Sequence, residues 1–171
     1  MLLVTTAHAE FKVADIQPRL SAGALVLNGN LDLALTQKTE EALSKGIELP
    51  LIFELRLARK RTLLWDQRLA SWSVRRTLQY HALSGQYLVG AGASYDSFLS
   101  LTEALKFLGS LNELRLPLPE TMTSPVLEDE YSAQLRVHLD IEALPAPLRP
   151  VAYTTPSWHL NSGWTSWNVA H

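Results

Sequence analysis

The chain has 171 residues, 47% of them hydrophobic and 19% charged, with a formal net charge of −2 and no cysteine. That composition excludes global disorder, and the length suits one domain able to bury about two-thirds of its unfolded surface without staples. Without cysteine there are no disulfides, thiol catalysis or cysteine–zinc sites; no apolar run nears the ~20 residues of a membrane-spanning helix, and the small net charge selects neither nucleic acid nor a strongly acidic partner.

Residues 1–9 read as the remnant of a signal peptide. Leu2, Leu3 and Val4 resemble the tail of an apolar core, and Ala7-His8-Ala9 fits a small-x-small cleavage site before Glu10. The basic start and most of the apolar core of a full leader are not present, as for a start codon assigned late or a leader cut back. The competing reading is an ordinary first strand. Residues 10–171 are then expected to form a single β-rich domain working in the periplasm.

Residues 11–35 read as two strands joined at Ser21-Ala22-Gly23. In GALVLNGNLDLAL, Leu25, Leu27, Leu31, Leu33 and Leu35 share one parity and the polar residues mostly take the other. Residues 36–46 change period: Thr36 caps a short helix, Glu40 and Glu41 lie near its positive end, and Gly46 ends it. ELPLIFELRLARK holds the cleanest strand. Leu49, Leu51, Phe53, Leu55 and Leu57 face one way, each worth about 1.5–3 kcal/mol when fully buried.

Residues 61–92 read as two hairpins, with a first turn at Trp65-Asp66-Gln67 and a second at Leu83-Ser84-Gly85-Gln86. Between them Ala70, Trp72, Val74, Arg76, Leu78 and Tyr80 share a face. Arg76 interrupts it and is expected to snorkel at an edge or pair with an acid. At 100–109, Ser100 and Glu103 match a capping box and Gly109 a helix end. Residues 112–118 give a short strand, 120–130 a polar, acidic loop, and YSAQLRVHLDI a long strand with Tyr131, Ala133, Leu135, Val137, Leu139 and Ile141 inward. LPAPLRP follows as a rigid connector or a single helical turn. The tail PSWHLNSGWTSWNV keeps neither period, and the chain shows no repeat or interdomain linker.

About seven or eight strands with hairpin-length turns and two short helices point to a mainly β (α+β) fold: an antiparallel β-sandwich or strongly curved sheet.

The sequence yields no catalytic constellation. GAGASYD, around Gly90, Gly92 and Ser94, is neither a nucleophile elbow nor a dinucleotide fingerprint. His8, His81, His138, His159 and His171 include no i, i+4 pair. His138 and Asp140 share the outer face of one strand, where they meet a metal, each other or only water. No metal site and no cofactor is expected, and no catalytic residue is assigned.

Charge and tryptophan stand out instead. From Arg56 to Arg76 there are seven basic residues and one acid, and from Asp96 to Glu142 nine acids and three bases. A molecule with a basic hairpin end and an acidic end is expected. Arg59, Lys60 and Arg61 are the candidate docking residues for an anionic partner or membrane head groups, against the plainer role of guarding strand ends from aggregation. Three of five tryptophans, Trp158, Trp164 and Trp167, crowd the last fourteen residues. They either close the end of the sandwich or line a groove for glycan or lipid.

The stretches LPLIFELRLARKRTLLWDQRLASWSVRRTLQYHALSGQYLV, SFLSLTEAL and LRVHLDIEALPAPLRPVAYTTPSWHLNSGWTSW, in that order, resemble an uncharacterised family of exported proteins of Gram-negative bacteria, domain of unknown function 4390. A Leu-Asp-Ile strand, a proline-bracketed leucine and a terminal Asn-Ser-Gly-Trp carry the likeness, which covers nearly everything after Glu10. The resemblance implies a signal peptide, a periplasmic site and a gene often near a nitrogen-type sensor kinase. It assigns no catalytic residue.

The expected function is therefore a non-catalytic periplasmic interaction module. It binds an envelope protein or the outer segment of a membrane sensor through a sheet edge or the basic hairpin. Contact with a membrane surface, without spanning, is compatible with it. The alternative is a small-ligand (glycan or lipid) binding protein using the C-terminal tryptophans. An envelope hydrolase comes third.

Overall fold

The computed structural model describes residues 11–122 and 129–170; the expected leader remnant and most of the acidic loop lie outside these described residues. Leucine alternation organises what is described into nine strands in two antiparallel sheets. One sheet has the order β1-β2-β7, from β1 (Phe11–Ser21), β2 (Ala24–Leu33) and β7 (Ser110–Pro117). The other has the order β6-β5-β4-β3-β8-β9, from β3 (Leu49–Arg59), β4 (Gln67–His81), β5 (Gln86–Ala91), β6 (Ser94–Phe98), β8 (Tyr131–Leu139) and β9 (Thr165–Asn168).

The leucine face of β3 is the centre of the core. Leu49, Leu51, Phe53, Leu55 and Leu57 are each at most 1% exposed. They pack in one cluster with Leu135 and Val137 of β8 and Leu25 and Leu27 of β2. β3 lies between β4 and β8, with Phe53 opposite both Val74 and Val137. Because side chains alternate, this register sends Glu54, Arg56, Arg136 and His138 to the outer face. β2 departs from simple alternation: Ala24, Leu25, Val26 and Leu27 are all buried, the signature of a segment covered on both faces.

Both expected helices form, with their caps. In α1 (Gln37–Ser44) the Thr36 hydroxyl accepts from the Thr39 N–H, and in α2 (Leu101–Leu108) the Ser100 hydroxyl accepts from the Glu103 N–H. A third, six-residue helix, α3 (Arg149–Thr154), follows the proline-rich connector; Pro150 sits in its first turn, where the missing N–H has no intrahelical partner anyway.

Strand β6 was not expected. Its turn signal is Gly92: Ala91 pairs with Ser94, leaving Gly92-Ala93 as a two-residue loop, with positive φ at Gly92 and not at Ala93. A glycine in the first of two positions is the type II′ hairpin, whose twist matches its strands. The β1–β2 hairpin has the other form. Ala22 (φ 46°) and Gly23 (φ 72°) are both left-handed, as type I′ requires. Alanine at such a φ costs roughly 1 kcal/mol. Replacing Ala22 with Asn, the preferred residue there, is expected to stabilise the domain by about 0.5–1 kcal/mol, read as a higher urea midpoint at unchanged slope.

The two sides of the sandwich close differently. Beside β9, the backbones of the two sheets bond directly: Leu20 N–H to Ala170 O at 2.9 Å and Ala170 N–H to Pro18 O at 3.0 Å. On the β4–β7 side the links are side chains. The Trp72 indole donates to Pro117 O at 3.1 Å, and the Arg76 guanidinium donates to Leu108 O at 2.8 Å and Ser110 O at 2.9 Å.

Candidate functional site

β4 is far longer than β5, and the site follows from that mismatch. β3 pairs β4 from Gln67 to Leu78, but β5 pairs it only from Arg76 to His81. Along Gln67–Arg75, no strand among the described residues takes the outer side of β4. This is an open edge of nine residues, ~30 Å of unpaired backbone. The alternation of the strand gives it two rails. Ala70, Trp72 and Val74 point inward and are half-buried, because the side-chain closure leaves them partly uncovered. Ser71, Ser73 and Arg75 point outward and are exposed.

The outer face behind this edge is polar and cross-linked. The guanidinium of Arg136 on β8 pairs with Glu54 on β3, and His138 Nε2 stands 3.8 Å from Glu54. Arg75 reaches Asp140 at 2.6 Å. Trp164, just before β9, lies flat under two cations, with the Arg56 guanidinium 3.8 Å and the Arg136 guanidinium 5.0 Å from its ring centroid. A depression of about 260 Å³ runs between Glu54, Arg56, Arg68, Ser73 and Trp164, alongside the edge.

Below the edge, the end of β3 and the β3–β4 loop carry the expected basic residues. Arg59 bonds Asp129 at 3.0 Å and Gln67 at 3.0 Å. Lys60 bonds Asn168 at 2.6 Å, with Glu130 at 3.9 Å. Arg61 hydrogen-bonds to Gln67. The expectation of separate basic and acidic ends is corrected here. Antiparallel pairing of β3 with β8 puts Arg59 opposite Tyr131, so Asp129 and Glu130, just before Tyr131, stand against Arg59 and Lys60. The expected turn at Trp65-Asp66-Gln67 is also displaced, since Gln67 already begins β4.

A second concavity lies between α1 and α3, with a volume of about 530 Å³. Ala42, Ile47, Leu148, Val151 and Trp158 make it largely apolar, and Lys38 and Lys45 stand on its rim.

The family model described as domain of unknown function (DUF4390) matches residues 8–168. The chain belongs to this family. No curated protein and no solved structure matches it.

In this DUF4390 domain the three C-terminal tryptophans go to three places. Trp158 is 5% exposed and forms the inner wall of the α1–α3 groove. Trp164 is held on the outer face by the two arginines. Trp167, opposite Ala133, packs against the core. They share no groove, and the ring face of Trp164 that meets Arg56 is already occupied.

Arg76 neither snorkels nor pairs with an acid. It crosses the sandwich to the last carbonyl of α2, Leu108 O, and the first of β7, Ser110 O, and stands 5.1 Å from the Phe53 ring centroid. Burial pushes its guanidinium below the ordinary arginine value; the Leu108 carbonyl at the negative end of α2 and the Ser110 carbonyl of β7 hold the charge there. His138 and Asp140 do not meet: Asp140 pairs with Arg75, while the His138 ring has Nδ1 3.3 Å from Leu139 O and Nε2 without a hydrogen bond, 3.8 Å from Glu54, and among the described residues no three His, Asp or Glu side chains gather to hold a metal ion. The open edge was missed as a specific site, because where β5 stops against β4 is fixed only by their pairing: β4 has fifteen residues while β5 has six.

Proposed function

We propose that this domain is a non-catalytic interaction module of the cell envelope that captures an extended segment of an envelope or membrane-sensor protein by strand addition along Gln67–Arg75. The observation that supports this reading is the open nine-residue edge of β4 where β5 stops short within the six-stranded sheet. Strand addition draws affinity from main-chain hydrogen bonds and specificity from alternate side chains. Here the inward rail, Ala70, Trp72 and Val74, calls for apolar partner residues at every second position. The outward rail calls for polar ones, with an acid near Arg68, which has no acidic partner among the described residues.

Along an antiparallel strand, the N–H groups of successive residues point alternately to the two sides. Of Ser73→Pro and Val74→Pro, one therefore removes a bond to β3 and lowers stability, while the other removes only an outward donor. The stable variant is expected to lose at least about ten-fold in retention of detergent-solubilised envelope proteins. Hydrogen exchange on the wild type with those proteins is expected to show new protection within Gln67–Arg75. Unchanged retention, or protection confined to other strands, overturns the reading.

A second reading, a small apolar ligand, is favoured by the α1–α3 groove walled by Trp158. A saturable change in intrinsic fluorescence with a fatty acid, abolished in Trp158→Phe, is its test.

A further inference from the structure

Three consecutive large apolar residues stand in water at the end of the β3–β4 hairpin: Leu63 is 94%, Leu64 61% and Trp65 90% exposed. Leu83, at the opposite end of β4, is equally exposed but alone, and isolated surface leucines are ordinary. A contiguous run is not, because water opposes it until something covers it.

The tip is a loop beyond the paired ends of two strands, with its apolar side chains outside the core, and so suits a fluid phase better than a rigid mate. Trp65 belongs to the residue type that concentrates at membrane–water interfaces. Arg61 and Arg68 flank the run, and neither has an acidic partner among the described residues. The acids near the loop base, Asp129 and Glu130, stand against Arg59 and Lys60, which leaves Asp66 as the one acid within the loop. An apolar point flanked by spare cations is complementary to an anionic lipid surface, with acyl chains for the leucines and phosphates for the arginines.

We infer that the Leu63-Leu64-Trp65 tip inserts into the headgroup region of an anionic phospholipid bilayer, docking the domain on a membrane surface without spanning it. The inference rests on the hairpin tip and shares only Arg68 with the β4 edge, so the triple tip variant, which leaves Arg68 in place, is the one that separates the two readings. Flotation without capture at the edge, or capture without flotation, tells the failure of one from the failure of the other.

The test is flotation of the full chain with vesicles of phosphatidylcholine alone and of phosphatidylcholine with phosphatidylglycerol. The wild type is expected to float with the anionic vesicles. Leu63→Ser/Leu64→Ser/Trp65→Ser is expected to weaken binding roughly ten- to hundred-fold. Its melting curve should be unchanged, since the three side chains touch solvent in the free protein. Arg61→Gln/Arg68→Gln is expected to weaken binding to anionic vesicles by about twenty-five-fold, near five-fold per cation. Brominated lipid is expected to quench a part of the fluorescence that Trp65→Phe removes. Absence of flotation, equal flotation of the triple variant, or equal binding to both vesicle types overturns the inference. Tip-dependent retention on immobilised envelope proteins without vesicle binding also overturns it, and assigns the tip to a protein partner.

Discussion

Gly29→Ala is expected to destabilise the domain by about 3 kcal/mol or more, combining a disfavoured backbone angle with a clash against the main chain of the paired strand. Gly29 has φ +145°, and a Cβ there would stand 1.9 Å from the Asp15 carbonyl oxygen and 2.9 Å from the Ile16 Cα. Both obstacles are backbone of β1, so no side-chain rotation relieves them. The position is also where three strands fix their register. β1 shifts between Val13 and Asp15 against β2, and the β2–β7 pairing shifts between Leu27 and Gly29. On the β7 side, the Asn28 side chain accepts from the Glu113 N–H at 2.8 Å. Relieving the clash means pushing β1 away from β2, which opens the smaller sheet over Leu25, Leu27 and Ile16. For a domain of this size the melting temperature should fall by about 10 °C. A variant within about 0.5 kcal/mol of wild type by urea titration would show that β1 yields cheaply.

Arg76→Ala is expected to cost about 2–3 kcal/mol, because charge-assisted bonds to two carbonyls are lost and those carbonyls stay enclosed. Leu108 O and Ser110 O lie at the end of α2 and the start of β7, so the loss is local before it is global. Hydrogen exchange should quicken first in the last turn of α2 and in β7. Arg76→Lys keeps the charge but not the planar fork that reaches both carbonyls. It is expected to recover less than half of the loss. Equal exchange in α2 for wild type and Arg76→Ala would mean that packing alone holds this side of the sandwich.

Arg76 also marks the limit of what could be read along the chain. Its place on the inward face was plain from the parity of Trp72, Val74, Leu78 and Tyr80. Its partners were not, because they are main-chain carbonyls more than thirty residues away, which no residue type announces. Trp164 is a parallel case. The tail lacked a clean period because β9 has only four residues, and the two arginines that cover its neighbouring indole come from β3 and β8. The exposed tip was hidden for the opposite reason. Leu63, Leu64 and Trp65 read as ordinary apolar residues, and their isolation from the core shows only once β3 and β4 pair below them.

Strand parity, the helix caps and the turn at Ala22-Gly23 depend on residues within a few positions of one another, and the chain by itself determined them: a leucine-faced antiparallel sandwich with capped short helices. The meeting of basic and acidic segments, the separation of the three tryptophans, the open stretch of β4 and the uncovered hairpin tip were decided by tertiary structure alone. Each depends on which strand lies beside which and where its neighbour stops, and pairing across long sequence separations is set by the whole core at once.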